Sequence, residues 1–210
     1  MINLKLILVF ILAYLIGSFP TGVIIGKIFF HEDIRQYGSG NIGTTNSFRV
    51  FGPLAGSVVL IIDVLKGTLA TSLPRILHLK APKYLLLVCG GLAILGHTCS
   101  VFLKFKGGKA VATSAGVFLG YNLQFFGVCA LIFLPLVFIT SYVSLSSLIA
   151  VILIFIVTFF FHDIFLEIVV GIIMIVLFTR HKDNISRLRN HEENIIPFGL
   201  YYWYRRRHNK

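Results

Sequence analysis

Residues 1–30 read MINLKLILVFILAYLIGSFPTGVIIGKIFF, one early lysine followed by apolar residues running well past the roughly 7–15 of a secretory signal core. No A-x-A-like cleavage site follows, so the stretch is expected to stay on the chain as a first membrane span over residues 4–29. The same criterion, about 17 to 20 apolar residues per crossing, picks out 53–77, 84–103, 111–121, 125–141, 145–161 and 164–179. The expected fold is therefore an all-α polytopic membrane protein of seven transmembrane helices. Its domain of residues 1–190 is followed by a basic, aromatic tail over 191–210. The fourth stretch is the shortest and carries glycine, and the connectors YNLQ, YVS and HD make the last spans antiparallel neighbours.

Composition excludes the other classes. Of the 210 residues 57% are hydrophobic and 13% charged, with mean hydropathy +0.89; a soluble domain has roughly 45–50% and about 25%. Disorder needs low hydrophobicity, which is absent. The net charge of +11 suits anionic headgroups or an anionic substrate, and because the charges are interleaved with spans, no nucleic-acid partner is expected. Cys89, Cys99 and Cys129 lie in apolar surroundings and fit neither a metal motif nor a disulfide framework.

Sidedness follows from the basic residues. With seven spans, 14 of the 19 lysines and arginines fall on one side and four on the other, with Lys66 inside the second span. The positive-inside rule then puts the N-terminus outside and the C-terminus in the cytoplasm. The segments GSGNIGTTNSFR, FKGGK, YVSLSS and RHKDNISRLR share that cytoplasmic side, so the chemistry is expected there.

Gly38-Ser39-Gly40-Asn41-Ile42-Gly43 satisfies G-x-G-x-x-G, but without the strand and βαβ unit of a dinucleotide fold. Glycines let the backbone turn and present N–H groups to an anion. Ser39, Asn41, Thr44, Thr45 and Asn46 would add neutral polar groups, and Arg49 a fixed charge. The alternative is a plain re-entry loop leading into the second span. Lys104-Phe105-Lys106-Gly107-Gly108-Lys109 approaches a Walker loop but has Leu103 and Ala110 where that motif needs glycine and Ser/Thr. Paired glycines among lysines at a helix start suit a phosphate; the alternative, a positive-inside anchor, would need only Lys104 and leaves the Gly-Gly-Lys without a use.

His97 lies inside the third span, where an ionisable group is functional by default yet a neutral imidazole can be structural. Asp63 and Lys66, three apart on the second span, can neutralise each other. Ser144, Ser146 and Ser147 stand at the mouth of the sixth span, where serines often only satisfy backbone carbonyls. At 3.6 residues per turn, Arg180, Asn184 and Arg187 share a stripe with His181 beside it. No pair of carboxylates stands on this side apart from Glu32-Asp33 and Glu192-Glu193, against a carboxylate-held metal or glycosidase chemistry. G-x-S-x-G is absent, and no histidine has an aspartate five residues on at the candidate positions: His31 meets Gln36 and His97 meets Phe102. No metal and no cofactor are expected.

GSGNIGTTNSFR, GHTCSVFLKFKGGKAVAT, YVSLSS and RHKDNISRLR, in this order, resemble the PlsY family of bacterial membrane acyl-phosphate:glycerol-3-phosphate acyltransferases up to about residue 190. Two positions depart from the family pattern: Ser100 stands in place of proline after Gly-His, and Ala110 in place of glycine after GGK. The resemblance implies seven helices, an active site at the cytoplasmic face of the bacterial cytoplasmic membrane, and transfer of a fatty acyl group from acyl phosphate to the 1-hydroxyl of glycerol 3-phosphate, giving lysophosphatidic acid. It implies catalytic roles for Ser39, Lys109, Ser147, His181 and Asn184. Substrate and phosphate binding would fall to Gly38, Gly40, Asn41, Arg49, His97, Lys104, Lys106, Gly107, Gly108, Ser144, Arg180 and Arg187. Expected partners are the two substrates, membrane lipid, and the soluble acyl-phosphate-forming enzyme PlsX. The proton acceptor is either a substrate phosphate oxygen or His181. A carrier for a phosphorylated metabolite is the alternative, disfavoured because no internal repeat is seen and the polar residues gather at one face rather than the midplane.

Overall fold

The computed structural model describes residues 4–80 and 82–208; residues 1–3, 81, 209 and 210, which include the expected outer N-terminus and the last basic residue of the tail, lie outside them. All seven apolar stretches are helical and no described residue is in a strand. By length and composition four helices can cross a membrane, or up to six if each of two bent pairs counts as one span. The short helix Val111–Tyr121, about 16 Å long at about 1.5 Å per residue, falls below that length. The chain forms two compact units, one up to Leu123 and one from Gln124 onward.

In the first unit α1 (Leu4–Ser18) does not continue through the first apolar stretch as expected. Pro20 has no amide hydrogen to extend the helical ladder, and the chain bends by 49° into α2 (Thr21–Ile25) and a π-helical turn, Gly26–Phe30. A break at membrane depth is tolerated where neighbours satisfy the released groups. The Ser18 carbonyl accepts the Ser100 hydroxyl at 2.6 Å, and the Phe19 carbonyl accepts Lys66 Nζ at 3.0 Å. Asp63 completes the buckle, 2.7 Å from Lys66 and accepting the Thr21 hydroxyl at 2.8 Å, all of it buried. The Asp63–Lys66 pair thus forms as the spacing suggests and also fastens the break. Ser100 has a use no proline could fill, since its side chain donates a hydrogen bond.

α3 (Thr44–Ile76) begins earlier than the expected span, so Thr44 to Arg49 of the supposed connector are helical. The kink lies at Gly52, φ +84°, just before Pro53, which is where the apolar stretch begins. α4 (Tyr84–Thr98) and α5 (Val111–Tyr121) complete the unit. Close helix approach depends on small residues, as is usual in membranes. A Cβ on Gly17 would overlap the Ala93 carbonyl, one on Gly67 the Thr113 carbonyl, and one on Gly116 the Val64 carbonyl.

The second unit contains α6 from Gln124 onward (the helix spans Leu123–Thr140), α7 (Val143–Thr158), α8 (Ile164–Arg180), α9 (Lys182–Arg189) and α10 (Leu200–His208). Asp163 caps α8 by accepting the Leu166 N–H at 3.2 Å. α8 and α9 meet at His181 with a 58° bend. The tail does not trail away: the Ile196 N–H donates to the Ser141 carbonyl at 2.9 Å, and the Tyr202 N–H to the Ser141 hydroxyl at 3.0 Å.

Candidate active site

The first unit carries two loops whose anchors share one apolar cluster: Ile34 and Ile42 flank the first loop, and Leu103 precedes the second. Before the first loop, Asp33 caps a short turn by accepting the Arg35 N–H at 3.1 Å; hydrogen bonding from the Arg35 guanidinium lowers its carboxyl to about 2. Gly38 and Gly40 take φ of +61° and +69°, which L side chains rarely adopt.

The centre of this loop is Asn46, 1% exposed. Its Oδ1 accepts the Ser39 N–H at 2.9 Å, and its Nδ2 donates to the carbonyls of Asn41 (2.9 Å), Tyr37 (3.1 Å) and Ile34 (3.3 Å). The Gly43 N–H donates to Asn41 Oδ1 at 2.9 Å and the Gly40 N–H to the Tyr37 carbonyl at 3.0 Å. The expectation that successive loop amides face an anion therefore does not hold for residues 39, 40 and 43, whose N–H groups are used within the loop. The loop instead holds Ser39 exposed on a fixed frame, and Arg49 stands exposed on the first turns of α3. Asn46 as organiser was not singled out from the sequence; its signal was an amide at helical distance behind a glycine loop, where a fold-back needs one multi-donor side chain.

The second loop closes on the end of α4. The Gly108 N–H donates to the His97 carbonyl at 3.0 Å. A Cβ on Gly107 would overlap that carbonyl, and one on Gly108 would overlap His97 Nε2. His97 and the Gly-Gly pair are thus one packed element, with Lys104 and Lys106 exposed and Lys109 half-buried. Ala110 is left-handed, φ +61°, and buried. The glycine usual at that position is explained by backbone conformation, since a non-glycine residue there is strained by about 1–2 kcal/mol. Ala110→Gly is expected to raise stability by about 0.5–1 kcal/mol after the added chain entropy of glycine, read as a higher Tm with acyl transfer retained.

The second unit carries the rest. The bend at His181 breaks the expected stripe: Arg180 ends α8, whereas Asn184 and Arg187 share a face of α9. The physical reason is that α8 is capped at His181, whose φ and ψ of −102° and 10° are not helical. His181 is buried, and its Nδ1 lies 2.8 Å from the Leu177 carbonyl. A carbonyl can only accept, so Nδ1 carries the proton and Nε2 is the basic nitrogen. Ser147 donates to the Val143 carbonyl at 2.8 Å, the ordinary use of a serine in a membrane helix.

Glu193 gathers the remaining groups. Its Oε1 accepts the Ser144 hydroxyl at 3.0 Å and Asn184 Nδ2 at 2.8 Å, and its Oε2 accepts Arg187 Nε at 2.8 Å. Its side chain is 7% exposed. Read from the sequence as half of an acidic pair, it was not among the expected site residues, and the signal for these contacts was an acid in a strongly basic segment.

Taken unit by unit, this is an all-helical chain of membrane type whose cations, amides and hydroxyls are held on glycine loops and helix ends. The glycerol-3-phosphate acyltransferase family model matches residues 7–191, and the chain belongs to that family. It is 75% identical over 208 residues to glycerol-3-phosphate acyltransferase 2 of Lactobacillus johnsonii, covering 99% of this chain and 95% of the relative. It is 55% identical to glycerol-3-phosphate acyltransferase of Latilactobacillus sakei, over 97% and 98% of the two chains. Among solved structures it is similar to PlsY, an integral membrane glycerol 3-phosphate acyltransferase, in its glycerol 3-phosphate form (TM-score 0.84, 32% identity, 91% of this chain and 96% of that one). It is similar also to the lysophosphatidic acid form (TM-score 0.80, 31% identity, 91% and 95%).

Proposed function

We propose that this protein acylates glycerol 3-phosphate to lysophosphatidic acid, taking the acyl group from acyl phosphate and delivering it to the 1-hydroxyl. The observation that carries the reading is likeness over nine-tenths of the chain to a solved acyltransferase with glycerol 3-phosphate and lysophosphatidic acid forms. The finer topology goes with it: seven spans, N-terminus outside, C-terminus and active site at the cytoplasmic face of a bacterial cytoplasmic membrane. The basic-residue asymmetry supports this sidedness. PlsX is the proposed source of the donor.

Acyl phosphate already has a good leaving group. The hydroxyl oxygen attacks the acyl carbonyl carbon, the bond from that carbon to the phosphate oxygen breaks, and inorganic phosphate leaves. The enzyme needs no covalent intermediate; it must hold two mutually repelling anions in reacting geometry and stabilise the carbonyl oxyanion. Arg49 and Lys109, with Lys104, Lys106 and Arg187 in support, are the proposed counter-charges. Ser39, Ser147 and Asn184 are the proposed neutral donors, and Gly38, Gly40, Asn41, Gly107, Gly108, His97, Ser144 and Arg180 line or shape the binding groups.

The hydroxyl proton goes to a phosphate oxygen of the substrate, with His181 as the competing acceptor through Nε2. Activity measured against pH in His181→Ala decides between them. Residual turnover that keeps tracking phosphate ionisation is expected; loss of the whole neutral-pH limb would assign the base to His181. Donor choice tests the function itself: palmitoyl phosphate should support lysophosphatidic acid formation and palmitoyl-CoA should not.

A further inference from the structure

The second unit holds a cavity of about 330 Å³ lined by Ile139, Thr140, Tyr142, Leu145, Leu188, His191, Glu193 and Tyr201. Tyr201 belongs to α10, beyond residue 191 where the family match ends, although the Lactobacillus johnsonii relative aligns over nearly the whole chain. The tail is seated on the α6–α7 turn. Ser141, itself at φ +56°, receives two of its amides; Gly199, at φ +103°, sits where a Cβ would overlap the Phe138 carbonyl. Trp203 meets Phe138 edge-on at 5.7 Å and Tyr201 lies 5.4 Å from Tyr142. The Tyr142–Tyr201 pair is the wall that this docking creates.

The lining selects its occupant. It contains no lysine or arginine, its polar members besides the tyrosine hydroxyls are Thr140, His191 and Glu193, and the one carboxylate, Glu193, is already paired with Arg187 and offers a phosphate no counter-charge. Ile139, Leu145, Leu188 and the two aromatic rings favour a neutral apolar segment. Glu193, on the same cavity, holds Ser144 and Asn184, both proposed site residues.

We infer that this cavity takes the fatty chain of the acyl donor next to its reacting carbonyl, and that Tyr201 of the appended tail determines how firmly that chain is held. The inference rests on the proposed acyl transfer. Tyr201 is a specificity-determining residue with no part in the chemistry.

The test uses the full-length protein. In Tyr201→Ala the KM for palmitoyl phosphate is expected to rise about five-fold, the scale of one lost aromatic contact, with the KM for glycerol 3-phosphate within two-fold and Tyr201→Phe close to wild type. An unchanged KM for palmitoyl phosphate, or both KM values rising together, overturns it. A C16 acyl phosphonate with a diazirine at its third chain carbon gives an arm independent of turnover and of the variant's folding. Labelling of wild-type Tyr142, Leu145 or Tyr201 supports the cavity, and labelling elsewhere rejects it. Wild type that forms no lysophosphatidic acid yet labels in the cavity would defeat the proposed reaction and leave a lipid site.

Discussion

Glu193→Ala should lower acyl transfer by roughly 100-fold or more, the scale of misplacing reacting groups by about 1 Å, and should lower the Tm as well. Ser144, Asn184 and Arg187 all donate to this one carboxylate from two helices, so its removal leaves three donors without their acceptor and one cation without its partner. Breaking such a pair costs about 3–5 kcal/mol when buried; Arg187 is 29% exposed, which brings the figure down to about 2–3 kcal/mol. Glu193→Gln keeps an acceptor for Asn184 while losing the charge opposite Arg187, and should fall between wild type and Glu193→Ala. Turnover and thermal unfolding in detergent check both variants. A Glu193→Ala protein with wild-type turnover would remove this carboxylate from the site.

Gly107→Ala is expected to be comparably damaging. The added Cβ would overlap the His97 carbonyl and come within 2.6 Å of the Thr98 carbonyl, and backbone cannot swing aside. The lysine-bearing loop must then lift off α4, moving Lys109, with a loss of roughly 100-fold in kcat/KM. Gly108→Ala meets the His97 ring instead. That difference makes a checkable contrast: His97→Ala should restore the Tm of Gly108→Ala and leave Gly107→Ala unrelieved. Equal rescue of both would mean that the loop is not packed on α4 in this way.

Much of the fold was legible because apolar length is a strong signal: 111–121 was bounded correctly, and 125–141, 145–161 and 164–179 differ from their helices by at most three residues at an end, whereas α3 starts well before residue 53 and α4 stops at Thr98. Sequence reading failed at the two bends. Pro20 could have announced the first, but a continuous apolar run outweighed one residue. The bend at His181 has no proline or glycine to mark it, so periodicity carried the Arg180–Asn184–Arg187 stripe across a place where the helix ends. The loops were legible as motifs because glycines and lysines stand out by type. Asn46 and Glu193 were not, because their importance lies in fold-back contacts with residues up to 12 and 49 positions away. The Ala110 departure was visible as a substitution, and the left-handed backbone at that position explains the glycine it replaces, not the alanine. The tail's basic and aromatic character was plain, while its seat on Ser141 depends on backbone amides that no composition reveals.

The most direct test of the central claim is lysophosphatidic acid formation by the purified protein in detergent from palmitoyl phosphate and glycerol 3-phosphate, with wild type beside Lys109→Ala. Product from wild type and a loss of roughly 100-fold or more in the variant are predicted, as expected for removing a charge that holds a reacting anion. A well-folded wild type that makes no product while a relative does so in the same assay would contradict the account.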